Sequence, residues 1–206
     1  MVAKLPPAIL LMGPTAAGKT DLAVKLCDCL PCEIISVDSV MVYQGMDIGS
    51  AKPDRLTLNR YPHHLVDICD PAKPYSAANF SEDAVAIMRR LAKENRIPLL
   101  VGGTMMYFKA LLQGIADMPG ANHELREKIV ADAKSRGWPA LHGDLKKIDP
   151  LAASKIHPNN KQRIQRALEV YLSSGRRLSD YWGLSASKSA TDWNSAMASE
   201  LPFELI

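Results

Sequence analysis

The run Gly13-Pro14-Thr15-Ala16-Ala17-Gly18-Lys19-Thr20 constrains this chain more than any other feature. It satisfies the pattern G-x-x-x-x-G-K-[ST] in full, follows the apolar run 8–12, and precedes a stretch at 21–30 whose apolar residues recur at helical spacing. Strand, glycine loop and helix in that order predict a phosphate cradle. The glycines let successive backbone N–H groups turn inward around phosphate oxygens, and the helix N-terminus favours negative charge. Lys19 is then placed to neutralise a phosphate chain, and the Thr20 hydroxyl to ligate a magnesium ion (Mg2+). The loop identifies a type of ligand and leaves the reaction open.

The pattern around the loop predicts the architecture. Residues 33–37 read as a second strand, 65–68 as a weak third, and 98–101 as a fourth that follows a helix at about 81–94. Strands separated by helices imply a parallel sheet covered on both faces. From about Met118 the character changes to helical stretches at 124–136, 139–147 and 161–173, with no convincing strand until 201–206. The expected fold class is α/β, a P-loop NTPase-like parallel sheet with helices on both faces and an inserted helical subdomain. The expected domains are 1–117 as the first part of the catalytic core, 118–157 as the insertion, and 158–206 as a return to the core. Residues 185–199, rich in Ser and Ala, read as a connection. The last run, Leu201-Pro202-Phe203-Glu204-Leu205-Ile206, looks like a strand just begun and suggests a fragment.

Composition narrows the classes further. In 206 residues, 47% apolar and 23% charged residues exclude disorder as the default. A net charge of +3 is too small to announce nucleic-acid binding, so any RNA contact has to come from a local patch. The segment from Met1 to Pro7 leads straight into the glycine loop and reads as neither signal peptide nor membrane span. Four cysteines (Cys27, Cys29, Cys32, Cys69) are expected as reduced thiols in a cytosol. Cys29-Leu30-Pro31-Cys32, the one close pair, reads as a helix end running into a strand rather than a redox or zinc site.

Three further stretches carry candidate chemistry. Asp38 and Ser39 fall at the C-terminal end of the second strand, where ligands bind in open parallel sheets. A carboxylate there can take a proton from a nucleophile or hold a hydrated magnesium ion; alone it would sooner cap a helix or a turn, and the P-loop beside it favours function. Val101-Gly102-Gly103-Thr104 is another strand end opening a helix; its glycines permit close backbone approach, and Thr104 suits both an N-cap and a hydrogen bond to a leaving phosphate oxygen. Arg126 and the run Gln162-Arg163-Ile164-Gln165-Arg166 supply cations, with Arg163 and Arg166 on one helix face. Such a face is solvated in most proteins, and a phosphate clamp is the alternative. His63 and His64, in a Tyr-Pro-His-His turn, and His157 lack partners at ligand spacing and receive no role.

Taken together, GPTAAGKT at 13–20, DSVMVYQGMDIGSAKP at 38–53, VGGTMMYFKALLQG at 101–114 and IHPNNKQRIQRALEVYLSSG at 156–175 resemble the tRNA dimethylallyltransferase family, also called tRNA isopentenyltransferases. The resemblance implies transfer of a dimethylallyl group from dimethylallyl diphosphate to N6 of the adenosine adjacent to the anticodon (position 37) of tRNA. It implies that residues 13–20 hold the diphosphate, at a loop often labelled an ATP site, with Mg2+ as cofactor. Asp38 matches the family's catalytic aspartate, Thr104 a residue near the bridging oxygen and the target base, and Arg126 one near the reaction site. Asp38, Ser39, Val40 and Met41, with Gln162, Arg163, Ile164, Gln165 and Arg166, would line the tRNA contact. Met41 stands where the family usually has Gln. Full-length members continue into a basic C-terminal region that grips tRNA, so truncation before that region is expected here. The resemblance implies a cytoplasmic enzyme, monomeric, with tRNA and dimethylallyl diphosphate as partners and no membrane association. Two other enzymes remain open at this point, an ATP-dependent P-loop small-molecule kinase and an isopentenyltransferase acting on free adenine nucleotides. So does a non-catalytic RNA-binding module.

Overall fold

Short apolar runs separated by helices bury best as parallel strands with a helix layer on each face, and the chain does this. In the computed structural model, which describes residues 7–114, 118–186 and 203–206, the elements follow in the order β1 (Pro7–Met12), α1 (Lys19–Cys29), β2 (Cys32–Val37), α2 (Arg55–Arg60), β3 (His63–His64), α3 (Ala77–Lys93), β4 (Ile97–Gly102) and α4 (Met105–Gln113). Then come α5 (His123–Arg136), α6 (Trp138–Ile148), α7 (Pro150–Lys155), α8 (Lys161–Ser174), α9 (Leu178–Ala186) and β5 (Glu204–Leu205). The chain divides into two units, Met1–Gly114 with Thr191–Ile206, and Ile115–Ala190.

In the first unit the strands lie in the order β3-β2-β4-β1-β5, and every pairing is parallel. Met12 and Val37 both lie opposite Gly102, so β1, β2 and β4 end level with one another. The period-two alternation sends Ile34 and Leu99 toward Ala23 of α1, and Ala8, Ile35, Val37 and Leu100 toward Phe80, Met88, Leu91 and Phe108 of α3 and α4. Helices thus cover both faces. A capping box starts α3, in which the Ser76 hydroxyl accepts from the Asn79 N–H while the Asn79 side chain accepts from the Ser76 N–H. At the far edge β5 pairs with Pro7 and Ala8 of β1, and Phe203 is buried in the α3/α4 cluster.

The expected third strand at 65–68 is displaced to His63–His64. Leu65 (φ 63) and Asp67 (φ 56) occupy the left-handed region, which no strand tolerates. The Asp67 and Ile68 N–H groups donate instead to the carbonyls of Met41 and Val42, at 3.0 and 2.9 Å. The histidine pair expected in a turn is therefore part of the sheet. Cys29 closes α1 on the surface and Cys32 opens β2 in the interior, and both thiols are free.

The second unit is helical. Pro139 and Pro150 sit in the first turns of α6 and α7, where a missing N–H costs nothing. Ile129, Leu141, Leu145, Ala152, Ile156, Ile164 and Leu168 share one core. Asp149, 1% exposed, joins two helix starts: one carboxylate oxygen accepts from Ala152 N and the other from Ser179 N, each at 2.9 Å. This unit is larger than the insertion expected at 118–157. The apolar face of α8 closes the same core as α5 and α6, so residues 158–186 belong to the helical unit, and the chain is back in the sheet at β5. The connection expected at 185–199 lies, from residue 187 on, outside the described residues. Among those described, no helix is long and apolar enough to cross a membrane.

Candidate active site

The site of the first unit is built where β1, β2 and β4 end. After Met12 the chain turns through the loop 13–18 into α1, with Ala16 (φ 64) and Gly18 (φ 73) both left-handed. Alternation of this kind directs successive N–H groups to one side, forming an anion-binding nest at a helix N-terminus. The Lys19 stem passes over Gly13, whose added Cβ would lie 3.6 Å from Lys19 Cδ, and the ammonium donates to the Pro14 carbonyl. The cation is thereby held across the loop that is expected to take phosphate.

Gly102 fixes how closely β4 and β2 approach. A Cβ there would overlap the Val37 carbonyl, so no other residue fits without parting the strands. The next amides use this closeness, with Gly13 N donating to Gly102 O (3.3 Å) and Thr104 N to Val37 O (3.2 Å). The starts of the segments after β1, β2 and β4 are thus tied together by backbone hydrogen bonds.

Asp38 follows β2 directly. Its Oδ1 accepts from the N–H groups of Val40 (2.7 Å) and Met41 (3.1 Å), which closes a turn and fixes the carboxylate. Among the described residues Oδ2 has no protein partner. Thr104 Oγ1 accepts from Ser39 N at 3.1 Å, and its hydroxyl lies 3.5 Å from Ser39 Oγ. Asp38, Ser39 and Thr104, expected as site residues on separate strand ends, are brought together here. Thr104 precedes α4 but makes no side-chain cap bond, so the N-cap alternative does not account for its hydroxyl.

A cavity of about 510 Å³ runs beside these groups, walled by Thr15 to Asp21, Asp38, Val40, Met41, Gly102 and Gly103. Several further walls were given no individual role from the sequence: Ser36, His63, and Gly49, Ser50, Ala51 and Pro53 of the stretch 38–53. Lys52 explains the last group. Its side chain is 4% exposed, and its ammonium donates to Tyr43 O (3.1 Å), Asp47 Oδ1 (2.7 Å) and Asp67 Oδ1 (2.6 Å). Burial pulls the Lys52 pKa down, but the two carboxylates overcome this and hold it above the ordinary lysine value. The Asp47–Lys52 spacing was visible in the sequence; Asp67 was not, because it arrives from the turn after β3. His63 hydrogen-bonds through Nδ1 to the Tyr61 carbonyl, and burial lowers its pKa below the ordinary imidazole value. Ser36 donates to Met41 Sδ at 3.7 Å, which makes Met41 part of the cavity wall.

The cationic candidates belong to the helical unit. Arg126 on α5 and Arg166 on α8 converge on Glu169. Arg163 and Gln162 are exposed, and Gln165 donates to the Arg126 carbonyl at 3.2 Å. Ile164 corrects the expectation of a continuous RNA-facing run: it is fully buried in the helical core, so its side chain offers RNA nothing. Arg163 and Arg166 also diverge in environment, because Arg166 is drawn onto Glu169 and the carbonyls of Pro119 and Gly120.

A glycine loop opening a helix at the level ends of a parallel sheet, with an aspartate lining the same cavity, defines a P-loop phosphate-binding α/β protein. The family model described as IPP transferase matches residues 41–199, and one described as isopentenyl transferase matches 7–67. The chain belongs to this family, that of the tRNA dimethylallyltransferases. It is 60% identical over 204 residues to tRNA dimethylallyltransferase 2 of Hahella chejuensis (strain KCTC 2396), an alignment covering 98% of this chain and 61% of that relative's length. Among solved structures it is similar to the full-length tRNA isopentenylpyrophosphate transferase of Bacillus halodurans (34% identity, TM-score 0.53, 93% of this chain and 70% of that one). It is also similar to a eukaryotic dimethylallyltransferase acting on tRNA (26% identity, TM-score 0.67, 86% of this chain and 44% of that one).

Proposed function

We propose that the full-length protein transfers a dimethylallyl group from dimethylallyl diphosphate to N6 of the adenosine adjacent to the anticodon in tRNA. The observation that carries this is the arrangement of one cavity, with a phosphate nest and Lys19 on one side and an oriented carboxylate with a free oxygen on the other. Family membership supplies the chemistry that such a pair would serve.

The geometry supports the following roles. The amides of residues 13–20 and Lys19 hold the diphosphate, stabilising the charge that grows as the allylic C–O bond breaks. The N6 nitrogen forms the new C–N bond, and its proton passes to Asp38 Oδ2, the oxygen not used by the turn. Thr104 Oγ1, anchored by Ser39 N, would turn its proton from Ser39 Oγ, to which it donates at 3.5 Å, toward the departing bridging oxygen. Because N6 lies on a base edge, the adenosine has to leave its stack to reach the carboxylate. Asp38 to Met41, and Arg163 with its exposed neighbours on α8, are the proposed tRNA contacts.

The residues fit magnesium. Thr20 and Asp38 present hard oxygen donors to the same cavity, and no group of three or more His, Cys, Asp or Glu able to hold a metal occurs among the described residues. An ion held mainly by substrate phosphates and water suits Mg2+, which keeps much of its hydration shell. When bound it would neutralise charge on the diphosphate. A cytoplasmic monomer is part of the same proposal, since tRNA is the acceptor and no partner chain is called for.

Incubation of the full-length protein with radiolabelled dimethylallyl diphosphate, Mg2+ and tRNA tests the reaction. Label is expected in tRNA at N6-dimethylallyladenosine. Label absent from tRNA while ATP is consumed, or label appearing only on free AMP, would overturn it in favour of a small-molecule kinase or a nucleotide prenyltransferase.

A further inference from the structure

The strand ends that build the site also carry an apolar rim. Met12 closes β1, Val40 follows β2, and Met105 and Met106 open α4 behind β4; they are 41, 43, 50 and 71% exposed. In the sheet β4 lies between β2 and β1, and its last residue, Gly102, stands level with both Val37 and Met12. The bond from Ser39 N to Thr104 Oγ1 ties the segment bearing Val40 to the one bearing Met105. These side chains therefore follow one another across neighbouring strand ends, all within the first unit. Val40 also lines the cavity, as does Gly103, which lies just before Thr104 and Met105. Single exposed apolar side chains are ordinary on a protein surface, whereas a run of them beside a cavity marks a contact surface.

The pattern of α4 shows that its methionines are spare to the core. At 3.6 residues per turn, Tyr107, Phe108, Ala110, Leu111 and Leu112 fall on one side of the helix and are buried. Met105, Met106 and Lys109 fall on the other side and are exposed. Lys109 stands one turn, about 5.4 Å, along from the methionine pair. The result is a ridge with an apolar head beside the cavity and a cation behind it. A methionine side chain is unbranched and polarizable, and its sulfur packs favourably against aromatic rings. A nucleotide has the matching division, a flat aromatic base at one end and an anionic phosphate at the other. An acceptor adenosine drawn out of its stack brings its covalently attached neighbours to this rim, and their base faces then lack a stacking partner.

We propose that Met105 and Met106, with Lys109 behind them, form a platform for the RNA nucleotide next to the acceptor adenosine, the thioethers packing on its base and the ammonium pairing with its phosphate. This rests on the transfer to tRNA proposed above. Because every base has an aromatic face, the platform holds the opened shape of the loop and not one sequence. Cover for the neighbouring base offsets part of the cost of unstacking, so the platform acts on acceptor binding and not on the bond-making step at Asp38.

The test uses the full-length protein and a synthetic anticodon stem–loop RNA, with the double variant Met105→Gln/Met106→Gln. Glutamine keeps side-chain length and helix propensity and removes the apolar, polarizable end. The double variant is expected to bind the RNA about 3–30-fold more weakly, as for two lost sulfur–aromatic contacts. The loss should appear in Kd and in KM for RNA and not in kcat, with the salt dependence of binding unchanged. Lys109→Gln is expected to flatten the slope of log Kd against log salt by about 0.7, the share of one phosphate on a single strand. An abasic residue placed first on one side of the acceptor adenosine and then on the other identifies the base. On one of the two sides wild type and glutamine variant should bind equally, because no base is left for the thioethers to hold. RNA binding by the glutamine variant equal to wild type overturns the inference, as does a penalty that persists whichever neighbour is abasic, or a salt slope that Lys109→Gln leaves unchanged. A glutamine variant with a changed mass in solution, or one that melts well below wild type, would show the face covered by a second copy or by another segment of the chain, and overturns it as well. All of these leave the reaction standing, whereas a wild type that transfers no label to tRNA overturns the reaction itself.

Discussion

Replacing Asp38 by Asn separates its two jobs. Oδ1 closes the turn on Val40 N and Met41 N, while Oδ2 is the proposed base. In Asp38→Asn the amide oxygen can take over both backbone bonds, which forces the NH2 group into the place of Oδ2, where it can accept no proton. The turn survives and the base is lost. Removal of a general base costs about 10²–10⁴ in kcat, or about 3–5 kcal/mol of barrier at about 1.36 kcal/mol per decade. Asp38→Ala loses the base and the turn, so it should show the same rate loss plus a stability loss on the order of 1 kcal/mol for two partly exposed hydrogen bonds. That corresponds to about 2–4 °C in Tm for a chain of this size. Single-turnover transfer of labelled dimethylallyl to tRNA gives the rate, and thermal unfolding gives the stability. Near wild-type rates in Asp38→Asn would refute proton acceptance by Asp38 and leave it a turn cap. An Asn variant as unstable as the Ala variant would refute the division of labour between its oxygens.

Lys52→Met should loosen the cavity wall at 49–53 by removing the bonds to Asp47, Asp67 and the Tyr43 carbonyl; a stability loss of about 1–3 kcal/mol is expected, read by urea unfolding, with a raised KM for dimethylallyl diphosphate. Gly102→Ala should cost about 1–3 kcal/mol or more by overpacking, because its Cβ meets the rigid Val37 carbonyl and not a side chain that can turn aside; a Tm equal to wild type would contradict the close approach of β2 and β4. Burial raises the Glu169 pKa, but the bonds from Arg126 and Arg166 more than offset this, and the depressed value gives a pH dependence of definite sign. A carboxyl that binds its proton more weakly when folded stabilises the fold fully above its unfolded value of about 4.3, and that contribution disappears as pH falls through the lower folded value. The denaturation midpoint of the helical unit, followed by its tryptophans, should hold steady from about pH 7 to 5 and drop below about pH 4, and Glu169→Gln should remove that part of the slope.

The parts of the fold legible in the sequence were those set by local pattern. The loop 13–20 announces strand, turn and helix through its spacing alone, and the apolar stretches of α3, α6 and α8 carry their period plainly. Asp38 and Thr104 were legible from position, since strand ends in a parallel sheet converge whatever the sequence between them. What escaped depended on groups meeting across distant segments. Lys52 needs Asp67, Glu169 needs Arg126 and Asn122, and His63 becomes a cavity wall only because β3 pairs with Ile34 and Ile35. The strand expected at 65–68 failed for a related reason. Leu65 is apolar and buried as a strand residue would be, but left-handed dihedrals at Leu65 and Asp67 hand the backbone donors to residues 41 and 42 instead of to a neighbouring strand. Ile164 was placed at the tRNA contact only by the resemblance of the run 162–166 to the family, and the 3.6-residue period turns its side chain inward.

The pairing of β1 with β5 sets a clock on the folding of the first unit. Pro7 and Ala8 are made at the start of the sheet, yet their partners Glu204 and Leu205 follow about 200 residues later, after the whole helical unit. At a synthesis rate of about 5–20 residues per second, one edge of the apolar strand Pro-Ala-Ile-Leu-Leu-Met stays open for about 10–40 s while β4 is already available to pair on its other side. An open apolar edge is a template for another chain. The helical unit, whose contacts are local and quick to form, therefore has a temporal effect as well as a structural one: the sooner it collapses, the sooner the last strand can reach the first and end that exposure.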